Sequence, residues 1–325
     1  MNLFRRLCPA PPAWSLGGDD LPGGGYTRRI VQALTGLEEW RDRPEDERVR
    51  LFAAALLIEE DRPRRVLWEM GAPIAWREHV CALLQHRWLP SAALQHPDLD
   101  RVAFRVSLLA RNDDLALLAT ADTLAGGGDP ELLAEIALFG EYTSEIGCRD
   151  RPRPFPSDHA RFQYFRTPGR DPDYAAYDDT RCTVTVMSGL PGAGKDHWIA
   201  ANRPGVPVIS LDNLRDELGK PPTGDQGPVV AAAYERARGH LRAATSYVWN
   251  ATNVTRAIRS RCIALAADYG ARVEVVSVEA PPDVVHRRNG ARTRPVPNAI
   301  IERMVERWEP PDPTEAHAVR WVLNV

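Results

Sequence analysis

The run Gly189-Leu190-Pro191-Gly192-Ala193-Gly194-Lys195-Asp196 constrains this 325-residue chain more than any other feature. A GxxxxGK pattern works only where a strand delivers the chain and a helix carries it away. Its glycines then aim successive N–H groups at phosphate oxygens, and the helix start adds its positive end. Both flanks are present: CTVTVMS (182–188) reads as a buried strand, and Lys195 to Ala201 reads as a helix. All eight residues are therefore read as a nucleotide-phosphate loop, with Lys195 reaching the β and γ oxygens. Of 41 lysines and arginines only Lys195 and Lys220 are lysine. A chain that otherwise uses arginine keeps a compact ammonium where one must sit among phosphates.

The surroundings of the loop fit that demand. VPVIS, TSYVWNA and RVEVVSV are short apolar runs. They alternate with helical stretches at Leu211–Leu218, Val229–Ala244, Thr255–Tyr269, Pro282–Asn289 and Pro297–Trp308, which predicts a mostly parallel sheet covered on both faces. Upstream, Arg28–Leu37, Glu45–Glu59, Ala75–His86, Leu99–Ala121 and Pro130–Tyr142 carry apolar residues at helical spacing between Pro and Gly breaks. The fold expected is α + α/β: an all-helical domain over 1–148, a Pro/Arg/aromatic linker over 149–180, and an α/β domain over 181–325. The length suits two domains of roughly 150 residues each. In the linker, Arg151, Arg153, Phe155, Phe162, Tyr164, Phe165 and Arg166 interleave cations with rings. That combination stacks single-stranded nucleic acid, and it equally packs an interface.

Several classes are excluded. The five cysteines are scattered without CxxC spacing, against both a disulfide framework and a zinc knuckle, and are read as inert thiols. No apolar run reaches the roughly 20 residues of a bilayer span, and Met1–Pro12 lacks the apolar core of a secretory signal. A cytoplasmic protein without membrane contact is expected. The net charge of −3 decides little about nucleic-acid binding.

Asp196 stands where such loops place Ser or Thr, and a carboxylate there is a hard ligand suited to Mg²⁺. Further on come VISLDNLRDEL, WNATN and VHRRNGARTRPVPNAIIERMVERWEPP. In order and spacing this series resembles the kinase domain of the phage-type polynucleotide 5′-kinases, over about residues 182–312. The resemblance implies ATP and Mg²⁺ as cofactors and a 5′-hydroxyl RNA or DNA end as substrate, with a nucleic-acid ligase as the partner acting next. It also implies Asp212 as the general base, Arg215 as the holder of the substrate phosphate, and Arg288 and Arg292 as the lid that clamps the ATP phosphates. Arg287 and Arg294 are weaker lid candidates. Ala251 falls where the family carries an acidic residue. Asn250, Thr252 and Asn253 are read either as substrate-positioning groups, Asn253 foremost, or as turn formers. Asp212 also suits a helix N-cap.

In the first half, FAAALLIEEDRP, VCALLQHRWLP and RVSLLARNDDLALLATAD resemble the HD-phosphohydrolase half of bacterial RNA-repair enzymes fused to a polynucleotide kinase. The linker segments FPSDHARFQYFR and DPDYAAYDDTRC share the likeness. The diagnostic His-Asp pair is replaced by Ile58 and Glu59, and no histidine precedes His79. Glu59, His86, Asp113 and Asp114 are the remnants, too few for a metal site, so an inactive phosphatase domain is expected. Two other readings stay open: a small-molecule or toxin-type kinase on the same scaffold, and a nucleotide-binding scaffold without catalysis.

Overall fold

A computed structural model of the protein describes residues 24–221, 224–292 and 294–324. The signal reading of Met1–Pro12 and the thiol Cys8 lie outside the described residues. The chain forms two units, residues 1–154 and 155–325. No helix among the described residues is long and apolar enough to cross a membrane.

Every described element of the first unit is helical: α1 (Gly25–Gly36), α2 (Glu38–Arg41), α3 (Glu45–Leu56), α4 (Pro63–Glu69), α5 (Ile74–His86), a 3₁₀ segment Pro90–Gln95, α6 (Leu99–Ser107), α7 (Asn112–Ala125) and α8 (Pro130–Glu145). Ile30, Leu34, Leu51, Phe52, Leu83, Leu115, Leu118 and Phe139 meet in one core. The helix expected over Leu99–Ala121 is two helices. Asn112, fully buried, donates from its side-chain amide to Ala103 O (3.1 Å) and Cys148 O (2.8 Å). A buried polar side chain must find partners, and here finding them breaks the helical run.

The second unit opens with α9 (Asp158–Arg166), inside the segment read as linker. Ser157 caps it by accepting from Ala160 N. Phe162 and Tyr164 are buried and their neighbours Phe155 and Phe165 pack ring against ring, so these aromatics serve packing. There follow β1 (Cys182–Ser188), α10 (Lys195–Asn202), β2 (Val208–Ser210), α11 (Leu211–Glu217), α12 (Gly227–Arg242), β3 (Tyr247–Asn250), α13 (Arg256–Asp268), β4 (Ala271–Glu279), α14 (Pro282–Gly290), α15 (Asn298–Glu306) and β5 (Ala318–Leu323). The strands run in the order β2-β3-β1-β4-β5, and every described pairing is parallel. The two faces follow the period of two along each strand. Val184, Val186, Tyr247, Trp249, Val273 and Val275 enter one core, while Met187, Val248, Val276 and Val278 enter another with Ile199 of α10. Central β1 therefore delivers the loop at the carboxyl edge of the sheet, between β3 and β4, where open α/β sheets take their ligands. Cys81, Cys148, Cys182 and Cys262 are free and buried.

Candidate active site

The loop is pressed so closely to its neighbours that only glycine fits. Gly189, Gly192 and Gly194 have φ of 144°, 82° and 100°. A Cβ would lie 2.2 Å from Val278 O at Gly189, 2.7 Å from Val285 O at Gly192, and 1.8 Å from Asn324 Nδ2 at Gly194. Lys195 Nζ donates to Gly189 O (2.9 Å) and Leu190 O (3.1 Å), folding back over the loop. Burial pulls its pKa down to about 8; Asp196 and Asp212 oppose that shift and Arg292 adds to it. An ammonium so deprived of water has strong use for phosphate oxygens. The cradle, the cation and the adjacent carboxylate together fit ATP with Mg²⁺.

The turn after β3 holds the loop from behind. Gly189 N donates to Thr252 O at 2.8 Å. Asn253, with φ of 43°, donates from its side chain to Met187 O (2.7 Å), and its carbonyl accepts from Ser188 Oγ (3.1 Å) and Arg259 Nη1 (3.0 Å). Fully buried Arg259 is fixed by two 2.8 Å bonds to Glu315. Asn253 is 2 % exposed, so the expectation that it touches substrate is corrected. It braces the loop, and its amide is already spent on Met187.

The acceptor side is built on α11. Ser210, not Asp212, caps this helix, accepting from Asn213 N at 3.4 Å, so Asp212 is left for another task. Its side chain is 68 % exposed between two cations: Oδ1 pairs with Arg215 Nη1, and Oδ2 lies 3.4 Å from Arg292 Nη2. Arg215 is held in turn by Gln226 Oε1 at 2.7 Å. Arg294 pairs with Asp216, one turn beyond Asp212. Arg288 donates to Asn324 O at 3.2 Å, with Nη1 3.7 Å from where a Cβ on Gly194 would stand. Lys195, Asp196, Asp212, Arg215, Arg288 and Arg292 thus gather at one sheet edge, whereas Arg287 pairs with Asp283 on an exposed helix face.

Asn250, read from the sequence as a substrate-positioning or turn-forming residue, ends β3 and donates to Asp196 Oδ1 at 2.6 Å. The strand-end side chain that meets the loop is thus Asn250, one residue before Ala251. Asn324 donates to Ala193 O at 3.2 Å and gives no sequence signal.

In the helical unit, Ile58 lies in the apolar core, and Glu59 accepts from Thr27 N at the start of α1. Asp113 and Asp114 lie elsewhere, with Glu47, among Arg43, Arg111 and His79. Among the described residues no group of three or more His, Cys, Asp or Glu side chains is arranged to hold a metal ion.

Residues 184–311, from the third residue of β1 to just beyond α15, match the family model described as an AAA domain. Together with the glycine cradle, Lys195 and the parallel sheet, the match makes the second unit a nucleotide-binding domain of P-loop kinase type.

Proposed function

We propose that the protein is an ATP- and Mg²⁺-dependent kinase of the 5′-hydroxyl ends of RNA or DNA, acting in nucleic-acid repair. The observation that carries this reading is Asp212: an exposed carboxylate, relieved of capping by Ser210, held between Arg215 and Arg292 at the edge where Lys195 stands. Asp212 accepts the proton of the 5′-hydroxyl as that oxygen bonds to the γ-phosphorus. The bond from the γ-phosphorus to the β–γ bridging oxygen breaks, and ADP leaves. Arg215 neutralises the phosphate next to the acceptor end, and Arg288 and Arg292 meet the charge spreading over the transferred group. Mg²⁺, when bound, would be held by Asp196 and would neutralise charge on the phosphates of ATP. A ligase that uses the new 5′-phosphate is the partner this activity calls for.

The helical unit is, in the same reading, an HD-type phosphohydrolase domain without phosphatase activity. Support comes from Ile58 in the core and from the arginine pairing of Asp113 and Asp114.

The test is transfer of the γ-phosphate of ATP to 5′-hydroxyl oligonucleotides, RNA and DNA, by the protein and by Asp212→Asn. Labelled oligonucleotide from the protein, reduced about 10²- to 10⁴-fold in the variant, is expected. Label on a nucleoside or sugar instead identifies a small-molecule kinase. ATP binding without any turnover identifies a scaffold.

A further inference from the structure

Around a loop-bound nucleotide, the metal ordinarily receives a neutral hydroxyl from the residue after the loop lysine and a carboxylate from a strand end. Here the residue after Lys195 is Asp196, and the last residue of the strand beside β1 is Asn250. The two touch, Asn250 Nδ2 to Asp196 Oδ1, at 2.6 Å. A carboxylate only accepts hydrogen bonds, so the amide must present its nitrogen to Asp196 and turn its oxygen away from it. We infer that the charged and neutral ligands of the metal site have exchanged places, Asp196 in the loop supplying the carboxylate and Asn250 at the end of β3 the neutral oxygen.

The alternatives are physically worse. Two acids in this contact would repel each other and add charge beside the triphosphate. Two neutral groups would leave the cation no charged protein ligand. With the exchange, the site keeps a single negative charge. Asp196 lies in the first turn of α10, where the helix end favours an anion and offsets part of its repulsion with phosphate. The departure at position 196 and the amide at position 250 thereby become one change.

This inference rests on the reading of the loop as an ATP–Mg²⁺ site and is independent of the phosphate acceptor, so its test contains none. Mn²⁺ is titrated, by its paramagnetic resonance signal, into the protein saturated with a non-hydrolysable ATP analogue. The same is done for Asp196→Ser, Asp196→Asn, and the double variant Asp196→Ser with Asn250→Asp. Melting curves confirm that each variant folds. Both single variants should lose Mn²⁺ affinity by at least about tenfold, while analogue affinity in EDTA stays level or rises. The double variant, with the ligands in their ordinary places, should recover to within about threefold of the parent. Unchanged Mn²⁺ affinity in Asp196→Asn, or a double variant that binds no better than Asp196→Ser, overturns the exchange. Unlabelled oligonucleotides in the kinase assay overturn the acceptor assignment alone.

Discussion

At Lys195 the energetic conflict of the site is concentrated in one atom. Burial lowers the pKa of the ammonium from 10.5 to about 8, so at neutral pH the folded protein carries a charge in poor solvation. The sign follows from linkage. This group's contribution to stability is most favourable where it is neutral in both states, above pH 10.5, and is lost as pH falls from there to 8. Below pH 8 the penalty is on the order of 1–3 kcal/mol. Lys195→Met should therefore melt higher than the parent at pH 7 without nucleotide, yet lose the stabilisation that ATP confers. Phosphate oxygens favour the charged form, so nucleotide binding raises this pKa. ATP affinity is then expected to weaken as pH climbs above 8, with proton uptake on binding in that range. Calorimetry in two buffers of different ionisation heat reads that uptake directly; its absence shows that the ammonium does not meet the phosphates. Position 195 was legible in the sequence because the glycines around it permit few alternatives. Asn253 was misread because a polar residue after a strand looks alike whether it faces solvent or, as here, turns inward to Met187 O.

At the scale of elements, the loop is held in place by a buried connection as well as by its own glycines. The carbonyl of Asn253 accepts from Arg259, and Arg259 is bonded twice to Glu315 just before β5. Breaking a buried pair leaves an uncompensated charge, so Glu315→Gln should cost about 3–5 kcal/mol, a drop on the order of 10 °C in melting temperature. Adding saturating ATP recovers part of the loss if the clamp acts on the loop. The segment leading into β5 also carries a pH dependence. His317 accepts from Val273 N at 2.9 Å, which puts its hydrogen on Nε2, 3.0 Å from His159 Nδ1. Burial lowers the His317 pKa to about 4, with Arg272 and His159 in support and Asp178 opposed. Stability from this group is complete above pH 6.5 and is lost as pH falls toward 4. Melting followed from pH 7 to 4 should show that slope, flattened in His317→Asn. Neither α9 nor β5 was legible in the sequence. α9 lies among Pro, Arg and Asp without a sustained apolar period, and β5 is a half-exposed edge strand. The strands buried on both sides were legible because their apolar runs have nowhere else to go.

Each unit of the molecule closes its own core, and each has a polar centre. In the second unit the centre is a cluster of cations facing a phosphate cradle. In the first it is an ion network in which Arg43 and Arg111 face Glu47, Asp113 and Asp114. Arg43 lies 3.1 Å from Glu47 and 2.7 Å from Asp113, Arg111 lies 2.7 Å from both, and fully buried Asp114 lies 3.2 Å from His79 Nε2. Burial works against the charge on Asp113, but Arg111 and Arg43 hold its carboxyl below the usual range. Two guanidinium groups thus supply neutralisation to these carboxylates. Removing both, in Arg43→Ala with Arg111→Ala, strands three carboxylates and should destabilise the helical unit by more than about 3 kcal/mol. Mn²⁺ or Mg²⁺ should then raise the melting temperature of that variant by binding the exposed carboxylates, and leave the corresponding transition of the parent unmoved. A parent that takes up Mn²⁺ in the helical unit, or a double variant indifferent to both arginine loss and metal, contradicts the assignment of cation duty to Arg43 and Arg111.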